Sequence, residues 1–141
     1  MDYKGSENKI IIILKNAQTI AVIGISKDPK KISREIASLL KSVGYKIYGI
    51  NPSIKEDQLD GIEIYNSILE VPSDIDIVNI FRKSEDIPFL VDDILKVNPR
   101  VVWLQLGIRN DEAVAPLIEK GIEVIQDECI YVKYKQYISS V

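Results

Sequence analysis

The chain has 141 residues, 46% of them hydrophobic and 28% charged, and 18 Lys and Arg against 21 Asp and Glu leave a net charge of −3. This length and composition fit one globular domain, 1–141 with its core over about residues 10–135, and the acidic balance lacks the clustered cations that a nucleic-acid backbone requires. With no histidine and a single cysteine, Cys129, Ser-His-Asp and Cys-His nucleophile systems, histidine-ligated zinc, phosphohistidine chemistry, intrachain disulfides and CxxC metal sites are all excluded.

In chain order, Ile10, Ile13, Leu14 and Ala17 share a helical face, although the β-branched run at 10–14 suits a strand equally well. That run is too short for a signal-peptide core of ~7–15 residues or a membrane span of ~20 residues, so a cytoplasmic protein with no membrane partner is expected. Residues 19–25 (TIAVIGI) read as a strand buried on both faces. Ile36, Leu39, Leu40 and Val43 follow at helical spacing, with Ser33 placed as the cap and Gly44 as the stop. Residues 46–50 form a second strand that Asn51-Pro52 ends. A charged loop (KEDQLDG) and a short strand at 62–65 come next. Residues 76–81 (DIVNIF) are the third main strand, and Ser84 caps a helix carrying Ile87, Leu90, Val91, Ile94 and Leu95. Residues 101–106 (VVWLQL) form a fourth main strand. Asn110 caps a helix with Asp111 and Glu112 in its first turn, and Pro116 is expected to kink or shorten it. Residues 122–125 make a fifth main strand, ahead of a helical extension over 129–137.

Strand and helix alternate with short connections, which implies parallel pairing through right-handed crossovers. The expected fold is an α/β, Rossmann-like doubly wound sheet of about five mainly parallel strands with helices on both faces. Its ligand site lies at the carboxyl ends of the strands, in the loops after Gly24, Ile50, Phe81 and Leu106.

The first of these loops departs from the dinucleotide fingerprint GxGxxG, because Ser26 and Pro29 stand where the second and third glycines belong. Lys27, Lys30 and Lys31 bring positive charge to the same turn, and the helix that follows offers unpaired amides to an anion. A solvated lysine-rich turn fits the same residues. The second strand ends in Asn51-Pro52, with Lys55 beyond, where NAD-binding folds carry an acid for the ribose. That pattern leans away from NAD and is compatible with NADP or with a nucleotide bearing a 3′-phosphate.

Gly24-x-Ser26-x-x-Pro29-x-Lys31-x-Ser33, Gly44-Tyr45, Asn51-Pro52, Asp76-Ile77-Val78, Phe81-Arg82-Lys83-Ser84-Glu85, Trp103-Leu104-Gln105-Leu106-Gly107 and Asp127-x-Cys129-Ile130 occur in one order and spacing. Together they resemble the small stand-alone CoA-binding proteins, whose fold is like the CoA-binding domain of the succinyl-CoA synthetase alpha subunit. The resemblance implies coenzyme A or an acyl-CoA as ligand. Gly24, Ile25, Ser26, Lys31 and Ser33 would meet the pyrophosphate. Asn51 and Pro52, with Lys55, would lie near the adenosine and its 3′-phosphate. Phe81 and Arg82 would flank the nucleotide, and Gln105, Gly107 and Ile108 the pantetheine arm. Lys31 stands where the family commonly has arginine, which leaves a point charge in place of bidentate contact.

Other residues have plainer readings. Cys129 reads as a small buried hydrophobe before a partner for a ligand thiol, and Trp103 as core. Arg82 and Lys83 open a helix whose dipole they oppose, which either a bound anion or a solvated face accommodates. Asp74 and Asp76 precede a strand and read as turn residues. Tyr131, Tyr134 and Tyr137 recur at helical spacing, as packing or as a surface for a protein partner or a second copy. The functional expectation is non-catalytic binding of coenzyme A or an acyl-CoA by a regulatory or carrier module. The alternative is an NADP-dependent oxidoreductase or another nucleotide-using enzyme.

Overall fold

The computed structural model describes residues 3–139. The ambiguous N-terminal run is helical, α1 (Tyr3–Asn16), and β1 (Thr19–Ile23), α2 (Ile32–Ser42) and β2 (Lys46–Ile50) follow it. Then come β3 (Gln58–Leu59), β4 (Ile62–Tyr65), a 3₁₀ turn at Ile68–Glu70 and β5 (Ile77–Ile80). A 3₁₀ helix (Ser84–Leu90) leads into α3 (Val91–Val97), and β6 (Val101–Leu104), α4 (Asp111–Glu119), β7 (Glu123–Ile125) and α5 (Ile130–Tyr137) complete the domain. No helix among the described residues is long and apolar enough to cross a membrane.

The seven strands form one sheet in the order β3-β4-β2-β1-β5-β6-β7, parallel throughout except for the β3–β4 hairpin. Without β3, this is the doubly wound dinucleotide-binding order, reversing direction between β1 and β5. The doubly wound expectation therefore holds, with β4 and β3 added beyond the five main strands. The hairpin closes through Asp60 and Gly61, both at positive φ, the Asp-Gly turn chemistry that suits the twist of paired strands.

Side chains alternate across the sheet and build two cores. Ile20, Val22, Ile47, Ile77 and Trp103 pack with Leu14, Ile36, Leu40 and Ile130 on the face covered by α1, α2 and α5. On the opposite face Ala21, Ile23, Val78, Ile80 and Leu104 pack with Ile87, Val91, Ile94, Val114 and Leu117. The centre of the sheet is held by β1, whose Ile20 pairs with Ile47 of β2 on one side and with Ile77 of β5 on the other.

Two expected helix caps are displaced. The N-cap of α2 is Lys31, not Ser33, because the Ser33 hydroxyl accepts the Ser26 N–H at 3.0 Å instead. At the next helix Lys83 holds the cap position, and the Ser84 hydroxyl accepts the Arg109 N–H at 3.0 Å. The Ser33 hydroxyl is recruited by the loop that leads into its own helix, and the Ser84 hydroxyl by the loop after β6. The helix after Ser84 also begins as 3₁₀, with Pro88 inside it; its missing N–H breaks the α ladder until Val91. Asn110 caps α4 as expected, its side chain accepting the Ala113 N–H at 3.0 Å. The first and fourth main strands end two residues earlier than their apolar runs, which frees Gly24, Ile25, Gln105 and Leu106 for the strand-end loops.

Candidate functional site

The strand order reverses between β1 and β5, and at their carboxyl ends Gly24 takes a left-handed φ of +87°. A Cβ at this position would lie 2.3 Å from the Phe81 carbonyl oxygen, so only glycine lets the two strand ends approach this closely. Two depressions meet here. One, about 500 Å³, runs from Gly24 past Ile50, Asn51, Pro52 and Ser53 to Asn66, Ile68, Leu90 and Asp93. The other, about 810 Å³, runs from Gly24 past Ser26, Lys31 and Ser33 to Gln105, Leu106, Ile108, Cys129 and Val132. Gly24 and Arg82 border both. A ligand crossing the switch point would therefore occupy one groove on each side of the β1 end.

The loop between β1 and α2 is held in shape by its own hydrogen bonds. The Ser26 hydroxyl accepts the Asp28 N–H at 3.0 Å, and the Asp28 carboxylate accepts the Lys30 N–H at 2.9 Å. Arg34 is 5% exposed; it donates to the Lys27 carbonyl at 2.7 Å and to the Asp60 carboxylate at 2.6 Å. It thus ties loop, helix and hairpin together, a role its place in a polar helical turn does not announce. Lys27 pairs with Glu56 at 2.6 Å, and that hydrogen bond holds the Glu56 carboxyl below its usual range. Lys27 is therefore directed away from the groove. Lys31 makes no ion pair among the described residues and lines the wider groove. Beside it, the Ile32 and Ser33 N–H groups open α2 with no carbonyl one turn back.

The expected site residues separate into those the structure gathers and those it does not. Gly24, Ser26, Lys31, Ser33, Phe81, Arg82, Gln105 and Ile108 line the wider groove, and Asn51 and Pro52 the narrower one. The Asn51 side chain is fully engaged in binding the loops together: its amide donates to the Ile25 carbonyl at 2.8 Å and its oxygen accepts the Ser53 N–H at 2.8 Å. The Ile25 side chain is fully buried in the core, and its carbonyl accepts from Asn51 in the loop. Lys55 lines a neighbouring depression with Glu56, Asp57 and Glu63, which shares Pro52 and Asn66 with the narrower groove. Gly107 (φ +85°) serves as a turn, its N–H donating to the Asp127 carboxylate at 2.7 Å.

Gln105 is 5% exposed and locked in place. Its oxygen accepts from the Asn79 amide and from the Ile130 N–H, each at 3.2 Å. Asn79, fully buried in β5, is a polar residue at a core-facing position, and this contact to Gln105 is its explanation. Arg82 reaches Asp86 one turn on, at 3.2 Å. Cys129 is half-buried, packed against the core while also lining the wider groove. Trp103 is core, its indole N–H donating to the Glu128 carbonyl at 2.8 Å. Asp76 ties the entry of β1 to β5 by accepting the Gln18 and Thr19 N–H groups at 2.7 and 3.1 Å. Tyr131 and Tyr134 stack with centroids 6.2 Å apart, and Tyr134 meets Tyr45 edge-on at 5.9 Å; they pack α5 onto the domain.

The narrower groove also holds Asn66, Ile68, Leu90 and Asp93, which sequence reasoning missed. They converge only because β4 runs parallel to β2 and α3 packs against the turn after β4.

The model of the CoA binding domain family matches residues 18–135. An uncharacterized protein of Bacillus subtilis (strain 168), YneT, is 38% identical over 129 residues, spanning 92% of this chain and 94% of that protein. The structure of cell-free ID.343 from Thermus thermophilus superposes with a TM-score of 0.90 at 32% identity, covering 94% of this chain and 98% of that one. The alpha subunit of an ADP-forming acetate–CoA ligase II of Pyrococcus furiosus is 39% identical over 66 residues, which is 46% of this chain but 14% of that subunit.

Proposed function

Because the chain belongs to the CoA binding domain family, we propose that its paired grooves hold coenzyme A or an acyl-CoA, without chemistry of the chain's own. The pyrophosphate lies against the β1–α2 loop and Lys31, where the first amides of α2 face it. Adenosine fills the narrower groove, between the Asn51-Pro52 turn and Ile68 and Leu90, and the pantetheine arm follows Gln105 and Ile108 past Cys129. The observation that carries this reading is the meeting of two grooves at Gly24 and Arg82, at the strand-order reversal. Binding without catalysis is supported by the groove's polar side chains: Ser26, Ser33 and Gln105 each accept hydrogen bonds that hold the fold. A module of this kind serves as a carrier or regulator, presenting its ligand state to another protein.

Calorimetric titration with coenzyme A, and with NADPH in parallel, tests the reading. The expected result is micromolar binding of coenzyme A and none of NADPH. Lys31→Ala removes one exposed phosphate contact worth about 1 kcal/mol, so affinity drops about fivefold. Absence of coenzyme A binding at millimolar concentration overturns the proposal.

A further inference from the structure

Three of the eight exposed large apolar side chains among the described residues surround one place: Ile32 is 60%, Leu106 67% and Val132 55% exposed, and all three line the wider groove. Gathered in one groove, they form an apolar surface that a bound hydrocarbon would cover. The same groove carries Lys31, Arg82 and Lys83 near Gly24. The groove thus offers both cationic and apolar side chains, and a matching ligand carries both phosphates and hydrocarbon. At the floor, Asn79 and the Ile130 N–H fix the Gln105 oxygen, which leaves the amide Nε2 end to donate to a carbonyl of the ligand.

We propose that the Ile32, Leu106 and Val132 surface of this groove takes the apolar acyl chain of an acyl-CoA, so that the thioester and not free coenzyme A is the preferred ligand. The inference rests on the coenzyme A reading above and names the ligand class within it. Free coenzyme A ends in a thiol and leaves the Leu106–Val132 surface wet. An acyl chain of several carbons covers it.

The experiment is a calorimetric series with coenzyme A, acetyl-CoA, butyryl-CoA, hexanoyl-CoA and octanoyl-CoA. A fully buried methylene strengthens binding about fourfold; on an open groove with one side in solvent, about twofold per methylene is expected, or roughly sixty-fold for the six methylenes from acetyl to octanoyl. Val132→Asn, an exposed position, lowers the octanoyl-to-acetyl affinity ratio by tenfold or more. Coenzyme A binding with affinities flat or falling along the series overturns the acyl proposal while leaving the coenzyme A reading intact. No binding by any member overturns both. A flat series accompanied by a concentration-dependent dimer in sedimentation velocity, weakened by Val132→Asn, overturns the proposal and assigns the surface to a second copy of this chain.

Discussion

Replacing Gly24 with alanine tests the central geometry of the site. The new methyl would sit 2.3 Å from the Phe81 carbonyl oxygen, so the β1 and β5 ends must part by about 0.7 Å to reach the shortest contact real Cβ atoms show. The β1 end is held to β2 by the Gly24 N–H on the Ile50 carbonyl at 2.9 Å and to β5 by the Phe81 N–H on the Ile23 carbonyl at 2.8 Å. Weakening one costs about 1 kcal/mol, a non-glycine residue at positive φ costs ~1–2 kcal/mol, and overpacking costs ~1–3 kcal/mol. A loss of about 4 kcal/mol lowers Tm by about 10 °C in a chain of this size. Gly121→Ala is the matched control, since Gly121 also has positive φ (+92°) but meets nothing within 4 Å; only the conformational cost remains, and Tm falls by ~2–4 °C. Thermal unfolding followed by circular dichroism reads both variants, and calorimetry with coenzyme A reads the site. Gly24→Ala should bind more than tenfold more weakly, since Gly24 borders both grooves. Equal melting of the two variants, with binding retained in Gly24→Ala, would show that the close approach of β1 and β5 neither limits stability nor shapes the site.

Three further outcomes follow from the contacts described. Asn51→Leu leaves the Ile25 carbonyl and the Ser53 N–H without their partners; about 2 kcal/mol of stability is lost, seen as a lower urea midpoint. Burial, with Tyr134 as the lesser cause, pushes the Tyr45 hydroxyl from 10.0 up to about 12. The folded state keeps this proton when the unfolded chain has lost it, so stability is full below pH 10.0, falls as pH rises and loses about 2–3 kcal/mol by pH 12. Tyr45→Phe removes that slope from urea midpoints measured across the alkaline range. For Glu56, lowered by the Lys27 hydrogen bond, the sign is opposite: its contribution is present above pH 4.5 and is lost as pH falls through the lowered value. An NMR titration of the Glu56 carboxyl should therefore midpoint below 4.5, and Lys27→Ala should return it toward that value.

The fold was legible wherever one residue pattern decided it. Buried runs at β1, β2, β5 and β6 and the periodic face of α2 owe nothing to distant partners. Strand order was legible only as a class, because the position of β4 beside β2 depends on pairing across a charged loop. The two displaced caps show the same limit: a serine before a helix is a local signal, whereas the N–H groups that recruit Ser33 and Ser84 are set by how the preceding loop folds back and by the loop after β6. For the site, Gly24, Lys31 and Asn51 could be singled out from residue chemistry at strand ends. Arg34 and Asn79 could not, since a cation in a helix and an amide in a strand are unremarkable until burial and partners are known. That the Ile25 side chain turns into the core was equally hidden, because adjacency in sequence does not say on which side of a strand end a side chain falls.

The central place of β1 bears on how the chain reaches this state. Ile20 finds its β5 neighbour at Ile77, and β6 and β7 then extend the sheet beyond β5. The middle of the sheet is thus begun by the earliest strand and completed by one made far later, across a long loop closure. Topologies dominated by such distant parallel pairings fold slowly for their stability, because chain entropy is lost before contacts compensate it. During synthesis, the fully apolar Ile20–Ile23 edge of β1 that faces β5 stays open until residue 80 has left the ribosome. In that interval the nascent chain is most vulnerable to self-association and most in need of a chaperone.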